Sequence, residues 1–507
     1  MSFDATSSPG KVYLVGAGPG DPLLVTLRAV QCLAAADVVL YDYLVNPQIL
    51  AHARSRAELI SLGAHGRTKI WTQGEINERM VEGALAGKTV VRLKGGDPTV
   101  FGRLAEELAA LAARKIPSEI VPGITAALAA GSYAGVPITH RELASAVALV
   151  TGREDADKAQ SSLDYEALAR FPGTLVLYMG VTTAPEWTSG LLKAGKPADT
   201  PVAIIRRCSL PDQTAVYTTL GQTAATMEGA KKIRPPVIVV IGDVARLGPE
   251  LSWFEKRPLF GKKVAITRAV QQAGELHARL AELGAEVLEQ PAIEIYPVED
   301  PAPFDNILKD RLRAFDWIIF SSANGVEKFF ERLFALGRDA RGLSDVKLAV
   351  IGPGTAQKLR EYHLLADLVP TEYRAEALAA ELVPGAAGKA FLLIRASRGR
   401  EVLADELLKA GGYVEQVVAY ESQDVTEGDP RVAQLLSTGQ LDWLTVTSSA
   451  IARSLVNLFG DELRQTKLAS ISPITSATLR ELGFEPAAEA REYTMEGVVR
   501  AIVEAKE

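Results

Sequence analysis

The sequence predicts an α/β protein with more than one domain, and three observations support this prediction. Short β-branched runs alternate with Ala/Leu-rich amphipathic stretches along the whole chain, as expected where strands alternate with helices. The chain has 507 residues, too many for one hydrophobic core. Its second half contains three motifs twice, in the same order. We therefore expect two different halves, the second built from an internal repeat.

Composition disfavours several classes of protein. Hydrophobic residues make up 48% of the chain and charged residues 23%, which is ordinary for a globular protein. No apolar run approaches the roughly 18–20 residues that span a bilayer, and a net charge of −7 argues against a nucleic-acid partner. Two cysteines and five scattered histidines indicate neither a disulfide framework nor a metal site. We expect a cytoplasmic protein without metal or membrane contact, and a short disordered lead at residues 1–10.

The first strand and its turn have the outline of a dinucleotide-binding unit. "KVYLVGAGPGD" (11–21) is followed by "DVVLYD" (37–42), a second strand that ends in an acid. A nicotinamide fingerprint needs a third glycine to pack helix against strand, and here that place falls on Asp21 or Leu23. The spacing therefore disfavours an NAD(P)-dependent oxidoreductase, although the glycines still leave the backbone bare for another ligand.

Further strands are predicted in the first half at turn-bounded, β-branched runs. They are 89–98, 146–152, 173–180, 200–207 and 235–244. Residues 249–261 contain proline and several charges without a regular period, which predicts a linker. The first domain is therefore placed at 11–248 and the second at 262–507.

The second half repeats itself at offsets of 127, 126 and 120 residues. The matched pairs are "KKVAITRA" (262) with "KAFLLIRA" (389), "DWIIFSSANGVEKFF" (316) with "DWLTVTSSAIARSLV" (442), and "KLAVIGPGTAQKLRE" (347) with "KLASISPITSATLRE" (467). This period is too long for a solenoid, so it predicts two related open α/β sheets with a ligand site between them. Lobe one would take 262–298 plus 423–507, and lobe two 299–422.

Hydroxyl groups and bare backbone recur where the predicted strands of this half end. The stretches are Thr267-Arg268, Ser321-Ser322-Ala323-Asn324, Gly352-Pro353-Gly354-Thr355, Arg395-Ala396-Ser397, Thr447-Ser448-Ser449 and Ile474-Thr475. Each precedes a predicted helix, whose N-terminus attracts anions. Any one of them could be a simple helix cap, but six around one cleft predict a large ligand with several negative charges.

Residues 262–507 resemble uroporphyrinogen-III synthase. The stretches that carry the resemblance are "GKKVAITRA", "FDWIIFSSANGVEKFF", "KLAVIGPGTA", "ADLVPTEYRAEAL", "VVAYES", "TVTSSA" and "EYTMEGVV". The resemblance implies that linear hydroxymethylbilane loses water and closes to a macrocycle with its last pyrrole inverted. It places Thr355, Ser448 and Thr475 at substrate-binding positions, and Tyr420 where its phenol would help the hydroxyl leave. For Tyr420 a packing role is the alternative. Ser472 stands where the family is expected to have glycine.

The first half, from Lys11 to about Phe254, resembles the tetrapyrrole methylases, specifically uroporphyrinogen-III C-methyltransferase. The motifs are "GAGPGD", "RLKGGDPTVFGR", "VPGITAALAAGSYAGVPITHR", "LYMG" and "TPVAII", in this order. The resemblance implies a two-lobed methylase fold and S-adenosyl-L-methionine as cofactor. Its cofactor positions fall on Pro19, Gly95, Gly96, Asp97, Val100, Thr125, Ala126 and Met179.

Asp42 corresponds to the proton acceptor of that family, with a helix cap as the alternative. The chain departs from the family pattern at Ala64, where lysine is expected, and at Leu104, Ala105 and Cys208, where glycine is expected. The resemblances together predict a bifunctional enzyme that makes uroporphyrinogen III and methylates it to precorrin-2, towards siroheme and cobalamin. A synthase with a weak or silent methylase half is the alternative. A homodimer through the methylase half is also expected.

Overall fold

The computed structural model describes residues 9–63, 70–154, 162–230, 232–268, 270–399 and 401–505. They form two compact units, Met1–Gly261 and Lys262–Glu507, which are described separately as unit 1 and unit 2. Most of the predicted lead, residues 1–8, lies outside the described residues. Among the helices described, none combines the length and apolar character needed to cross a bilayer.

Unit 1 alternates strands and helices, with short 3-10 turns between several of them. Its elements are β1 (Val12–Gly16), α1 (Leu27–Ala35), β2 (Val38–Tyr41), β3 (Glu58–Ser61), α2 (Gln73–Leu85), β4 (Val90–Lys94), α3 (Leu104–Ala113), β5 (Ser118–Val121), α4 (Ala126–Tyr133), β6 (Val147–Thr151), α5 (Tyr165–Arg170), β7 (Thr174–Tyr178), α6 (Ala184–Lys193), β8 (Pro201–Arg206), β9 (Thr214–Thr219), α7 (Thr223–Glu228), β10 (Val237–Ile241) and α8 (Gly248–Leu251).

These elements build two sheets. The first is fully parallel, with strand order β3-β2-β4-β1-β5, so the turns after β1, β4 and β5 lie at one edge. Its central strand β4 is buried along its whole length, as expected for a parallel strand covered on both faces. The second sheet has the order β6-β7-β10-β8-β9, and β10 is antiparallel to both neighbours. The predicted two-lobed α/β fold is confirmed.

The residues predicted as a linker, 249–261, pack against unit 1. Phe254 is 3% exposed and Leu259 is 4% exposed. The indole N–H of Trp253 donates to the backbone oxygen of Ser132 at 2.9 Å, and Arg257 lies over the Trp253 ring at 4.7 Å. Proline and charged residues interrupt the regular hydrophobic period in this segment, which is why the sequence predicted a linker. Burial of Phe254 and Leu259 nevertheless anchors the segment, so unit 1 extends to Gly261.

Unit 2 continues the alternation. Its elements are β11 (Lys263–Ile266), α9 (Val270–Glu282), β12 (Glu286–Glu289), β13 (Ile293–Tyr296), α10 (Ala302–Asn306), β14 (Trp317–Phe320), α11 (Ala323–Ala335), β15 (Lys347–Val350), α12 (Pro353–Glu361), α13 (Ala375–Leu382), β16 (Ala390–Ala396), α14 (Val402–Lys409), β17 (Tyr413–Asp424), α15 (Pro430–Ser437), β18 (Trp443–Val446), α16 (Ser449–Phe459), β19 (Lys467–Ser470), α17 (Pro473–Glu481), β20 (Ala488–Glu489) and α18 (Met495–Glu504).

Unit 2 also has two sheets. The first, β12-β11-β18-β19-β20, is parallel and draws its strands from both ends of the unit. The second has the order β13-β17-β16-β14-β15 and is parallel except for β13. The prediction placed β13 in lobe one, but β13 pairs with the end of β17, from Ile293 with Asp424 to Tyr296 with Glu421. The two crossing segments therefore form an antiparallel extension of the second sheet.

Helix α11 shows how the sequence determines local structure at the edge of this sheet. Ser322 begins the helix as its N-cap and accepts a hydrogen bond from the backbone N–H of Gly325. Serine is among the residue types preferred at the N-cap position. Phe329, Phe330 and Leu333 follow at helical spacing and are fully buried in the core of the second sheet. The cap fixes where the helix starts, and the apolar face fixes how it packs.

Candidate functional site

Three glycine-containing turns of unit 1 meet at the carboxyl edge of its parallel sheet. Gly96 N donates to Gly18 O at 2.7 Å, and Gly18 N donates to Gly96 O at 3.2 Å. Both residues have positive φ, 76° for Gly18 and 71° for Gly96. A Cβ added at Gly16 would lie 2.6 Å from Cα of Gly123, in the turn after β5. Only glycine lets backbones approach so closely, and the structure brings these separately predicted turns together.

Asp97 ties two of these turns to each other. Its Oδ1 accepts from the backbone N–H of Thr99 at 2.7 Å, and its Oδ2 accepts from the backbone N–H of Gly123 at 3.0 Å. The hydroxyl of Thr99 also donates to Oδ1, so Oδ2 is the oxygen that can accept a further hydrogen bond. The contact of Asp97 with a cofactor stays a prediction. The predicted residues Pro19, Gly95 and Val100 are half-buried in the same turns.

Tyr178, at the end of β7, joins the second sheet of unit 1 to the start of α4. Its phenol oxygen lies 2.6 Å from Oγ1 of Thr125 and accepts from the backbone N–H of Ala127 at 3.0 Å. Burial raises the pKa of this phenol. Met179 follows with a positive φ of 55° and a side chain that is 49% exposed. The predicted residues Thr125, Ala126 and Met179 therefore lie together.

The departures from the family pattern have structural consequences of different size. Cys208 is 6% exposed, its Sγ lies 3.8 Å from the backbone oxygen of Ala126, and burial raises the pKa of its thiol to about 12. Leu104 packs on the core beside the parallel sheet, and Ala105 is exposed. Ala64 lies outside the described residues. Of these described positions, Cys208 contacts the predicted cofactor residue Ala126.

Asp42 follows β2 at the same edge and belongs to a buried network of charges. Nη2 of Arg92 donates to Oδ1 of Asp42 at 2.7 Å, and Nε of Arg92 donates to Glu107 at 3.1 Å. Nζ of Lys94 donates to the other oxygen of Glu107 at 2.7 Å. The side chain of Asp42 is 30% exposed, whereas those of Arg92, Lys94 and Glu107 are 5%, 4% and 0% exposed. Asp42 is the accessible end of this network.

The sequence analysis did not identify Arg92, Lys94 and Glu107. Burial, followed by the charge of Arg92, lowers the pKa of Lys94, and the close contact with Glu107 compensates for burying the ammonium group. A usable signal was present, because "TVVRLKGG" places two cations in a strand that is otherwise apolar. Charges in a strand buried on both faces need partners.

A cleft of about 750 Å³ lies between the carboxyl ends of the two sheets of unit 2. Its walls include three serines that begin helices. Ser322 accepts from Gly325 N at 3.0 Å, Ser448 from Ile451 N at 3.2 Å, and Ser472 from Thr475 N at 3.4 Å. The predicted residues Ser448 and Thr475 line this cleft. Helix N-termini and hydroxyls therefore converge on it, as the strand-end pattern predicted.

Tyr420 lines the cleft because of an irregularity in β17. Val418 pairs with Arg395 and Tyr420 pairs with Ala396, so Ala419 is left over between them. Such a bulge reverses the alternation of side chains. Ala419 and Tyr420 are consequently both buried, and Tyr420 is only 5% exposed. Its phenol oxygen lies 2.9 Å from Oγ of Ser322.

Not every predicted strand-end residue reaches the cleft. Thr355 is 7% exposed in the first turn of α12 and is absent from the described lining. Thr267 is fully buried, and its hydroxyl donates to the backbone oxygen of Thr445 at 2.6 Å. The hydroxyl of Thr267 therefore links neighbouring strands, and the role of Thr355 in substrate binding stays a prediction.

The cleft also contains residues that the sequence analysis missed. Tyr373 and Tyr493 both line it, and they stand 120 residues apart in "TEYR" and "REYT". Extending the repeat that matches Lys347 with Lys467 would have paired them. The side formed by the second sheet carries three arginines and two glutamates, whereas the described lining residues from the first sheet are neutral. Each arginine is paired with an acid: Arg374 with Glu372 at 2.6 Å, Arg395 with Glu401 at 3.2 Å and Arg398 with Asp424 at 2.8 Å. The charged groups of the described lining therefore all lie on one side of the cleft.

Comparisons with known proteins agree with this two-part architecture. The family model of tetrapyrrole (corrin/porphyrin) methylases matches residues 11–224, and that of uroporphyrinogen-III synthase HemD matches residues 274–500. A porphyrin biosynthesis protein HemD of Ruminiclostridium josui is 34% identical over 494 residues, which is 97% of this chain and 95% of that protein. The chain belongs to the tetrapyrrole methylase and uroporphyrinogen-III synthase families.

Two further relatives match the methylase half. An S-adenosyl-L-methionine-dependent uroporphyrinogen III methyltransferase of Methanosarcina barkeri is 49% identical over 238 residues, 47% of this chain and 93% of that protein. A siroheme synthase of Sodalis glossinidius is 48% identical over 258 residues, about half of each protein (50% and 53%). The predicted families and S-adenosyl-L-methionine as cofactor are confirmed.

Proposed function

We propose that this chain catalyses two consecutive steps of tetrapyrrole synthesis. Unit 2 closes hydroxymethylbilane to uroporphyrinogen III, and unit 1 methylates that product twice to precorrin-2, the precursor of siroheme and cobalamin. The observation that supports this most directly is the presence of both families in one chain, with a relative that matches across 97% of it. The product of one family is the substrate of the other.

The turns of unit 1 fit S-adenosyl-L-methionine, which supplies an electrophilic methyl group when bound. The position that a Cβ would take at Gly96 has its nearest neighbours at 3.8 and 3.9 Å, in Ala126 and Thr125, so the half-buried backbone there leaves room beside the start of α4. Gly96, Thr125, Ala126 and the half-exposed Met179 would hold the cofactor. Cys208 contributes bulk near Ala126, but its side chain is turned into the core.

Asp42 serves as the proton acceptor in unit 1. A pyrrole carbon that gains a methyl group becomes part of a cation, and that cation must lose a proton. Arg92 holds Oδ1 of Asp42 at 2.7 Å, whereas Oδ2 has no hydrogen-bond donor among the described residues. The carboxylate is therefore oriented through one oxygen and keeps the other for the proton.

In unit 2, Tyr420 donates its phenolic proton to the departing hydroxyl group. The carboxylate side chains of the linear substrate meet the arginines of the second sheet and the helix N-termini that open on the cleft. Positioning of the two chain ends in one cavity favours ring closure over reaction with water. Tyr373 and Tyr493 offer aromatic faces on which pyrroles can stack.

The decisive experiment is incubation of the full chain with hydroxymethylbilane, with and without S-adenosyl-L-methionine. Chromatography should show uroporphyrinogen III without the cofactor and precorrin-2 with it. Uroporphyrinogen III in both reactions would support a silent methylase half, the alternative that Ala64, Leu104, Ala105 and Cys208 suggest. Slow, unassisted closure to the non-inverted isomer would contradict the synthase function.

We also propose that the protein forms a homodimer through the methylase half. We further propose that it is located in the reducing cytoplasm. Leu23 is 88% exposed and Leu27 is 84% exposed near the start of α1, and large apolar side chains this exposed favour association. Cys32 and Cys208 are both buried free thiols. Light scattering on residues 1–261 and on the full chain should give the same dimeric stoichiometry. A monomeric 1–261 fragment would contradict the proposed interface.

A further inference from the structure

Ser322 and Tyr420 form a hydrogen-bonded pair in the wall of the cleft. Their oxygens lie 2.9 Å apart, although the residues are separated by 98 positions in the chain. Ser322 is half-buried, and Tyr420 is 5% exposed. The repeat-related Ser448 caps α16 in the same way by accepting from Ile451 N, but among the described contacts its hydroxyl has no tyrosine partner. A cap serine therefore contacts a tyrosine in one of the two repeats.

The direction of this hydrogen bond depends on what Tyr420 donates to. Oγ of Ser322 already accepts from the backbone N–H of Gly325 at 3.0 Å, at the positive end of a helix 13 residues long. The serine hydroxyl proton is still available for donation, and the Tyr420 oxygen is its partner within hydrogen-bond distance. When an oxygen in the cleft accepts the phenolic proton, the serine can donate to the phenol oxygen instead.

We propose that Ser322 is a positioning residue that orients the Tyr420 hydroxyl into the cleft and donates to its oxygen as the phenolic proton leaves. The proposal rests on the proposed role of Tyr420 in closing hydroxymethylbilane. The N-terminus of α11 contributes to this arrangement only through the backbone N–H of Gly325, which directs the serine hydroxyl towards the tyrosine. The three groups act in series, from Gly325 N–H to Ser322 to Tyr420 to the substrate.

The step that the pair assists is balanced in atoms and charge. The carbon–oxygen bond of the terminal hydroxymethyl group breaks with its electron pair on oxygen, and the Tyr420 proton completes a water molecule. The lone pair of the adjacent pyrrole nitrogen forms the new double bond, which leaves a cationic ring and a phenolate. Ring closure then releases a proton from carbon, and the phenolate takes it back. Ser322 stabilises the phenolate during the interval between these transfers.

The first test needs no substrate. Tyrosine labelled with ¹³C at Cζ is incorporated into the full chain, and Tyr420→Phe identifies the Tyr420 resonance by its loss. Ser322→Ala should shift that resonance, because the phenol loses its hydrogen-bond partner. Asp429→Ala is the matched control, since Asp429 caps α15 through Arg431 N at 2.9 Å and is not among the described residues that line the cleft. An unshifted Tyr420 resonance in Ser322→Ala would overturn the proposal.

The second test is a double-mutant cycle on the rate of ring closure. Tyr420→Phe should slow closure roughly tenfold to a hundredfold, and Ser322→Ala roughly tenfold. The double variant should stay within about twofold of Tyr420→Phe alone, because Ser322 acts through the phenol. Asp429→Ala, which also removes a helix cap, should lower the thermal stability by a similar amount and leave the rate unchanged.

Additive losses in the double variant would show that Ser322 acts independently of Tyr420 and would overturn the inference. Failure of the proposed synthase function would give a different experimental result. An unmodified chain that leaves hydroxymethylbilane unconverted refutes the synthase activity, whereas the labelled tyrosine still reports whether Ser322 orients the phenol.

Discussion

Unit 1 and unit 2 place their proposed reactive groups at the same kind of position, the carboxyl edge of parallel strands, but hold them by different means. In unit 1, Asp42 is tied through Arg92 to the buried side chains of Glu107 and Lys94. In unit 2, Tyr420 is held by the neutral hydroxyl of Ser322. A carboxylate base carries a full charge and needs buried counter-charges, whereas a neutral phenol needs only a correctly directed hydrogen bond.

The charges of unit 1 and the hydroxyls of unit 2 also depend on the rest of the fold in different ways. The charges of unit 1 are mutually dependent, because removing one leaves the others buried without a partner. The hydroxyls of unit 2 are single helix caps, and each can be lost at modest cost. Substitutions in unit 1 should therefore affect stability and activity together, and substitutions in unit 2 should affect mainly activity.

The largest effect is expected for Asp42→Asn. Loss of the proposed proton acceptor should lower methylation turnover about 10²–10⁴-fold. Affinity for S-adenosyl-L-homocysteine should change little, because the proposed role of Asp42 begins after the methyl group has moved. Calorimetry and single-turnover assays measure the two quantities. Asp37→Asn, at the other end of β2, is the control. A parallel loss of cofactor affinity would make Asp42 a structural residue.

Glu107→Gln is expected to destabilise unit 1 by about 3–5 kcal/mol, since Arg92 and Lys94 would lose their buried counter-charge. Urea unfolding of the full chain should show an earlier transition for unit 1 and an unchanged transition for unit 2. The neighbouring Glu106 pairs with Arg103 at the surface, so Glu106→Gln should have little effect. Equal effects of the two substitutions would show that burial of the network is energetically unimportant.

The two units can be compared separately if the chain is cut at the structural boundary. A fragment of residues 1–261 should be more stable than 1–248 by at least about 3 kcal/mol, because the shorter fragment loses the buried side chains of Phe254 and Leu259. Thermal unfolding of both fragments measures this difference. Equal stability would restore 249–261 to the role of a linker.

A smaller effect is expected for Gly96→Ala. The added Cβ would contact no protein atom within 3.5 Å, yet it would occupy the space proposed for the cofactor, so affinity for S-adenosyl-L-homocysteine should fall about tenfold or more. Gly87→Ala is the matched control, because Gly87 has a similar φ of 76° and lies in open space. If both variants bind equally well, the cofactor lies elsewhere.

Several parts of the two sites were predictable from the sequence because their signals are local. The glycine turns, the strand that ends at Asp42 and the serine that caps α11 each follow from a few consecutive residues. Glu107 lacked such a signal, because "AEELAAL" offers two adjacent acids and only packing decides which is buried. Tyr420 was identified by resemblance, but its orientation depends on a bulge that strand periodicity does not predict. The prediction of a linker at residues 249–261 missed the packing around Trp253, because contacts with distant residues leave no local signal in the sequence.

The sequence by itself determined the α/β class, the division into two families and the internal repeat, because hydrophobic period, turn chemistry and motif order are properties of neighbouring residues. Only the tertiary structure decided which of those residues meet. The contacts of Arg92 with Asp42 and of Ser322 with Tyr420 join residues 50 and 98 positions apart. Contacts of this kind depend on how sheets order and register their strands, and that order is set by the packing of the whole unit.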